Sequence, residues 1–409
     1  MFLLIPVYRE QSIIHQTVRQ FQQFSERRSW LHIIFITSIR EDQYDQELTT
    51  HQILENLIMS SCDHKIRLIK CNNPNGVMAH QLNYAIELLL KDEKQPFYIG
   101  IYNADSILSL VTIDYAYREL GKNEKKVLQQ YAIYPTEYIQ DFNGKILSHI
   151  AGWQTRWSLH FELGRLLIDN NFYKNISYRI PILNLIRPFH YTIGHGLFFT
   201  SKTYILTTGF AEDEINEDAQ FGLMLYFLNC RIEPIPYLEV AVPPPSLSVY
   251  FKQQSVWFNG PIYAFKYAIK LFNGSKGKHA ERPKVENWTE KLSVGVATIK
   301  LFTHSLYWIL GPPSILFLTI WIFIRQPIIY WVVWLVLVFY FVWGLNWISH
   351  NIAKKHSDLY IIRSKVNLSR YPFSAFIAYL FHCIGPFICL YKILILQNKL
   401  SNKYKTERQ

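Results

Sequence analysis

The sequence predicts an α/β domain built on a mostly parallel sheet, followed by interfacial helices and about three transmembrane helices. Short apolar runs alternate with helically spaced stretches from Phe2 to Ser106, the pattern of a doubly wound parallel sheet. Beyond residue 300, three long segments lack any charged residue. Between these two regions lies a proline-rich and then aromatic stretch, "AVPPPSLSVYFKQQSVWFNGP" (Ala241–Pro261).

"FLLIPVY" (Phe2–Tyr8) is a first strand ending in a turn, and "EQSIIHQTVRQFQQF" has apolar residues at helical spacing. "LHIIFITS" (Leu31–Ser38) and "KIRLIKC" (Lys65–Cys71) read as the second and third strands. A turn, "NNPNG", then precedes the helix "VMAHQLNYAIELLL". "PFYIGIYNADS" (Pro96–Ser106) is a fourth strand running into an acidic turn. Ligands of such sheets bind at the carboxyl ends of the strands. That directs attention to Tyr8, Arg9, Glu10, Ser38, Asn103 and Asp105. The run Pro243–Pro245 ends the α/β domain, and the aromatic segment after it suits a membrane surface.

Ser305–Ile324 and Ile328–Trp347 run for 20 residues each and Tyr371–Tyr391 for 21, all without charge. A bilayer core needs roughly 20 apolar helical residues, so each is a candidate span. The apolar run of "MFLLIPVYRE" ends too early for a signal peptide, so the first 300 residues are expected in the cytoplasm, at an inner or plasma membrane. The basic linker His350–Arg370 is expected there too. Three full spans would place the tail "NKLSNKYKTERQ" on the far side, unless Gly385-Pro386 breaks the last segment into a re-entrant hairpin. The sequence leaves both topologies open.

The chain has 409 residues, is 50% hydrophobic and carries a formal charge of +11. Its Lys and Arg are scattered, which points to anionic lipid headgroups and phosphate ligands and away from nucleic acid. Five cysteines without a Cys-x-x-Cys pair fit reduced thiols, not a disulfide framework or a zinc site.

Three stretches could carry chemistry. "YNADS" (Tyr102–Ser106) puts Asp105 at a strand end, where one carboxylate can anchor a divalent cation whose other ligands are water and phosphate; Asn103 could bond a ribose hydroxyl. An ordinary turn would read the same way. "GFAEDEINEDAQFGLML" (Gly209–Leu225) concentrates five carboxylates in the seven residues Glu212–Asp218. Acid suits a helix entrance, with Asn216 as its cap; either the cluster is spare charge at that entrance or one of its groups, Asp218, acts as a general base. "GHGLFFTSKTYILTTGF" (Gly194–Phe210) flanks His195 with Gly194 and Gly196, allowing close backbone approach to a ligand or simply a turn before a core strand.

In order, "IPVYRE", "YNADS", "GHGLFFTSKTYILTTGF", "NEDAQFGLML" and "KQQSVWFNG" resemble the inverting family 2 glycosyltransferases of the GT-A fold. The membrane-attached branch that includes cellulose and hyaluronan synthases is nearest. The resemblance spans roughly residues 1–260 and the membrane layout. It implies a GT-A catalytic domain at 1–245, an interfacial segment at 246–300, a transmembrane region at 301–396 and a basic tail at 397–409. Pro6, Tyr8 and Glu10 would line the nucleotide pocket, and Glu41 or Asp42 would help hold the base. Asn103 and Asp105 stand at the Asp-x-Asp motif, with Asp105 holding Mg2+ or Mn2+. Asp218, supported by Glu217, matches the base that deprotonates the acceptor. Gly194, His195 and Gly196 belong to the acceptor segment, and Gln253, Gln254 and Trp257 to a gating motif over the diphosphate and acceptor.

The implied reaction moves a sugar from a nucleotide-diphosphate donor, UDP-linked by preference, to a lipid-linked or saccharide acceptor, in polysaccharide or glycolipid synthesis. Val256 replaces the motif's Arg, so that Lys252 or another basic residue must substitute, and Met78 replaces a Lys. Both changes, and so few spans, argue against a processive synthase, although a subunit acting with a partner would accommodate them. A catalytically inactive, nucleotide-binding membrane scaffold is the alternative from another class. A transporter would need more spans and intramembrane charges.

Overall fold

The computed structural model describes residues 1–43, 48–61, 63–135, 141–170, 191–228, 230–273, 288–359 and 372–395. The tail 397–409, residues 360–370 of the basic linker and Cys62 lie outside the described residues. The strands are β1 (Phe2–Pro6), β2 (His32–Ser38), β3 (Ile66–Cys71), β4 (Tyr98–Ile101), β5 (Val127–Gln129), β6 (Ala132–Ile133), β7 (Leu197–Thr200), β8 (Ile232–Pro234) and β9 (Glu239–Val240). Helices α1 (Ile14–Arg27), α2 (Thr50–Ser61), α3 (Met78–Asp92), α4 (Leu110–Leu120), α5 (Phe142–Arg156), α6 (Ser201–Thr207) and α7 (Glu217–Phe227) lie among and around these strands. Then follow α8 (Leu247–Trp257), α9 (Ala264–Asn273), α10 (Trp288–Arg325), α11 (Ile328–Phe339), α12 (Leu345–Leu359), α13 (Pro372–Phe381) and α14 (Ile384–Leu394).

Seven strands form the main sheet in the order β3-β2-β1-β4-β7-β5-β8. The first four are parallel, as expected. β7 is antiparallel to both β4 and β5. Alternation along β1 and β2 sends side chains to opposite faces. Leu4, Ile34 and Ile36 meet Leu82, Ile86 and Leu89 of α3 on one face. Leu3, Ile5, Ile33 and Phe35 meet Ile14, Val18 and Phe21 of α1 on the other. Those α1 residues recur at the spacing of a single helix face.

Among the described residues three segments are long and apolar enough to cross a membrane: Lys291–Arg325, Ile328–Ser349 and Phe373–Leu394. They differ in one respect. Only 11% and 6% of the first two are buried within the protein, against 44% of the third. The third is broken at His382–Cys383 into α13 and α14. α13 packs on α5, and α14 packs on α8. The segment after Pro245 is therefore not simply laid on a membrane surface: α8 buries Tyr250, Gln254 and Ser255, with α14 against it.

Helix α5 is enclosed almost all round, with every residue from Ser148 to Arg156 buried. Its Ile146, Ile150 and Trp153 share a core with Val342, Ala375, Ala378 and Tyr379 of the candidate spans. Arg156 lies between the rings of Trp153 and Phe341, 4.3 and 4.5 Å from their centroids. Its guanidinium donates to the Phe341 carbonyl at 2.6 Å, where the second span widens into a π-turn at Tyr340–Gly344. Such turns disturb the regular helical ladder and can expose a carbonyl to an outside donor. Burial lowers the Arg156 pKa to about 10, so the group stays charged at neutral pH.

The α8–α14 crossing depends on Gly385. A Cβ there would lie 2.4 Å from the Gln254 Cβ and 2.8 Å from the Ser255 nitrogen. Gly385→Val is expected to destabilise the protein by at least about 1–3 kcal/mol, the cost of overpacking a tight contact. Thermal unfolding in detergent should show a lower midpoint; an unchanged midpoint would mean that the two helices can separate freely.

Candidate active site

β1 lies between β2 and β4, and the chain leaves β1 for β2 and β3 on one side before returning as β4 on the other. This is a topological switch point, where the loops after two neighbouring strands diverge and open a crevice. The loop after β1 contributes Tyr8 and Glu10, and the loop after β4 contributes Asn103 and Asp105, to a cavity of about 530 Å³. Pro6, Ser38 and Arg40 line the same end.

Glu41 is buried and holds this end in shape from behind. Its Oε1 accepts from the Arg9 backbone N–H at 3.0 Å, from Gln11 Nε2 at 3.1 Å and from Thr50 Oγ1 at 2.5 Å. Arg9 has φ 56°, a left-handed conformation that costs a non-glycine residue energy unless its surroundings impose it. Asp42 pairs with Lys70 at 2.7 Å. Neither Glu41 nor Asp42 is among the residues lining the cavity. Arg40 is: its guanidinium lies 5.0 Å from the Tyr8 ring centroid and donates to the Gly76 carbonyl at 3.0 Å. In the sequence Arg40 belongs to no motif and sits in a polar run beside Glu41 and Asp42.

The antiparallel strand β7 brings Gly194, His195 and Gly196 to the middle of the cavity. Gly196 donates its N–H to Ile101 at 2.8 Å with φ +64°, and a Cβ there would lie 2.8 Å from Gln130 Cβ. Only glycine meets both conditions without strain. His195 lines the cavity and forms an ion pair through Nδ1 with Glu239, which is fully buried. Burial opposes charge on the imidazole, but Glu239, with help from Asp105 and Asp218, outweighs it and raises the pKa. Glu239 lies on β9, far along the chain, and no local pattern marked it.

Asp218 lines the cavity from the first turn of α7. Its Oδ2 accepts the Gly194 N–H at 2.9 Å and its Oδ1 the Ala219 N–H at 2.8 Å, so the carboxylate is held in place. Glu217 is buried and outside the lining. Asn216 precedes the helix but makes no side-chain cap. Its Nδ2 instead donates to the carbonyls of Val256 and Trp257, at 3.3 and 3.1 Å, joining α7 to the end of α8. The remaining acids are bound elsewhere. Glu212 accepts from Asn83 at 3.0 Å, Asp213 pairs with Lys270, and Glu214 pairs with Lys266 and Lys270 of α9. Most of the cluster thus fastens α9 and α3 to the entrance of α7.

Gln253, Gln254, Val256 and Trp257 of α8 line the cavity. Gln253 accepts from Gln154 of α5 at 3.0 Å. Lys252, expected to replace the missing Arg, is exposed and outside the lining. Arg40 and His195 do line the cavity. Trp153, Trp157 and Glu162, which sequence analysis passed over, line the end nearer the membrane segments; the tryptophan density of "AGWQTRWSLH" was the available signal.

Asp105 and Asn103 present oxygen donors at the rim of an open cavity, and no group of three or more His, Cys, Asp or Glu suited to a metal occurs among the described residues. This fits a cation anchored by one carboxylate that takes its remaining ligands from phosphate and water. It does not fit a closed structural site.

The fold is an α/β domain on a mostly parallel sheet, with ionisable groups gathered at its switch point. Residues 103–345 match the glycosyl transferase family group 2, and the chain belongs to that family. None of the curated proteins compared with the chain matches it. Among solved structures, the mannosyltransferase PcManGT from Pyrobaculum calidifontis, in complex with GDP-Man and Mn2+, is similar at 10% identity and a TM-score of 0.47, covering 96% of this chain and 87% of that one. S. aureus TarS 1–349 in complex with UDP is similar at 12% identity and a TM-score of 0.43, covering 77% and 78%.

Because the folded pKa of His195 is raised, its ion pair adds stability that is fully present below the ordinary imidazole value of 6.5 and lost as pH rises through the higher folded value. Glu239→Gln removes the partner carboxylate. The thermal midpoint of wild type should exceed that of the variant most below pH 6.5, the gap narrowing as pH rises. A gap independent of pH would show that His195 is not held charged by Glu239.

Proposed function

We propose that this chain is an inverting glycosyltransferase of the cellulose and hyaluronan synthase-like branch. It would transfer a sugar, taken to be a hexose, from a nucleotide-diphosphate donor, UDP-linked by preference, to a lipid-linked or saccharide acceptor. The reaction is placed at the cytoplasmic face of an inner or plasma membrane, in polysaccharide or glycolipid synthesis. The observation that carries the reading is the convergence of Asp105 and Asp218 on one cavity at the switch point, with His195 between the loops that hold them. The family match supports the reaction class, and three candidate spans support the membrane setting.

In this reading Tyr8 and Arg40 take the nucleoside and Asp105, with Asn103, holds Mg2+ or Mn2+ against the diphosphate. The bound cation would neutralise charge on the departing diphosphate. Asp218 accepts the proton of the acceptor hydroxyl as that oxygen bonds to the anomeric carbon. The bond from that carbon to the donor phosphate oxygen breaks on the opposite side, inverting the centre. The Gly194 amide keeps the carboxylate aimed, an advantage for proton transfer that depends on close positioning. The His195–Glu239 pair places a positive group where an anion is bound.

Asp218→Asn is nearly isosteric and should retain donor binding while lowering transfer at least about a thousandfold, within the roughly 10²–10⁴ range of general-base contributions. The check is turnover across a panel of nucleotide sugars with the purified protein in detergent, and near wild-type turnover would remove Asp218 from this role. An inactive scaffold predicts no transfer by wild type with any donor.

Asp105→Ala should abolish divalent-cation-dependent affinity for UDP and leave the fold intact. Calorimetric titration with UDP and Mn2+ measures this, and equal affinity in mutant and wild type would sink the metal assignment.

A further inference from the structure

The last candidate span, Phe373–Leu394, is packed unlike the other two. Each of its halves lies on a helix that lines the cavity. α13 packs on α5, where Ala375, Ala378 and Tyr379 share a core with Ile146, Ile150 and Trp153. α14 follows α8 and the turn after it. Gly385 lies against Gln254 and Ser255, Cys389 Sγ reaches Asn259 Oδ1 at 3.6 Å, and Leu390 and Ile393 pack with Phe258 and Ile262. The joint between the halves is held at two points. The His382 carbonyl accepts from Trp308 Nε1 at 3.0 Å, and His382 Nδ1 lies 3.0 Å from Tyr250 Oη.

Helices α10 and α11 form an antiparallel hairpin, with Trp331 Nε1 on the Ile322 carbonyl and Trp334 Nε1 on Thr319 Oγ1, both at 2.9 Å. The last segment meets this hairpin near its base. Tyr379 Oη closes on Gly311, and Ile315 and Val338 are the outermost hairpin residues in the core around α13. Among the described residues, none of α11 is buried. A third span would run beside its neighbours through a depth of roughly 30 Å and cover a stripe on them. The outer part of the hairpin is left uncovered.

The free face of α14 is apolar. Phe387, Tyr391 and Leu394 are 49%, 56% and 70% exposed, and steps of four and three put them on one side of the helix, opposite Gly385 and Cys389. Charge gives a separate argument. Five Lys or Arg lie between His350 and Arg370, before the segment, and four lie between Lys399 and Arg408, after it. Basic flanks favour one side of a membrane. A crossing would divide these two flanks, whereas a helix lying in the surface keeps them together.

We infer that Phe373–Leu394 does not cross the membrane. It lies in the plane of the leaflet next to the α/β domain, with Phe387, Tyr391 and Leu394 turned to the boundary of headgroups and acyl chains, the depth at which surface helices settle. The chain then crosses twice, through α10 and α11, and residues 397–409 stay on the domain's side. The lipid-facing surface of α14 continues that of α10, where Tyr307 and Leu310 are exposed on either side of Trp308. The inference rests on the membrane setting and is independent of the transferase reading.

The test places one cysteine at a time in the full chain carrying Cys62→Ser, the cysteines at 71, 230, 383 and 389 being buried. Lys94→Cys reports the α/β domain, Arg325→Cys the turn of the hairpin and Ser401→Cys the tail; Lys94 and Arg325 are exposed. A membrane-impermeant maleimide is applied to bacterial cells whose outer envelope is permeable, before and after the inner membrane is opened. Ser401→Cys should label under the same condition as Lys94→Cys, and Arg325→Cys under the other. Labelling of Ser401→Cys apart from Lys94→Cys, or of Arg325→Cys together with it, overturns the proposal. Because the comparison is with Lys94→Cys, the side assigned to the domain can fail while the inference stands. Nitroxides at Phe387→Cys and Leu394→Cys in lipid vesicles give a second measurement on exposed positions that disturb no core. An in-plane helix puts both at one depth; a helix along the bilayer normal separates them by roughly 10 Å at 1.5 Å per residue, and that separation would sink the idea.

Discussion

The close crossing of α8 and α14 at Gly385 is the contact on which the rest of the site depends. Helix α8 supplies one wall of the cavity through Gln253, Gln254 and Trp257, and its own position is set from two sides. Asn216, at the entrance to α7, holds the carbonyls at its end. Gly385 lets the last membrane segment reach its backbone. The last candidate span thus touches α8, whose end Asn216 ties to the turn that carries Asp218.

Charge is distributed along the cavity in a way that matches its two ends. Arg40 stands beside Tyr8, where a nucleotide is proposed to lie. His195 and its buried Glu239 occupy the centre, next to Asp105 and Asp218. At the far end Glu162 is neutralised by Arg165, and the wall is otherwise aromatic and amide. The buried ion pairs are retained despite the cost of desolvating them, which suits groups needed for position and charge more than for stability.

How much of this was legible in the sequence varies with how local each cause is. Strands β1 to β4 and the helices among them were readable because alternating and helical apolar spacing are properties of short segments. So were the charge-free spans, and so was the strand-end placement of Asp105. The cluster Glu212–Asp218 was visible but its purpose was not, since Lys266 and Lys270 answer it from a helix more than fifty residues away. Asn216 had the composition of a cap and serves instead as a tie to α8. Glu41 had the position of a ligand-binding acid and serves instead to hold the Arg9 backbone.

By itself the sequence determined the α/β class, the order of the first strands, the apolar segments suited to a membrane and the two aspartates at element ends. These follow from periodicity and from the chemistry of a few neighbouring residues. Tertiary structure decided that β7 runs antiparallel beside β4, that Glu239 meets His195, that α5 packs against the candidate spans, and that Trp153, Ser158, Glu162, Trp308 and His382 line one cavity. Each of those depends on contacts between residues remote in the chain. Such contacts are set by which buried surfaces fit together in three dimensions, and no local pattern records that.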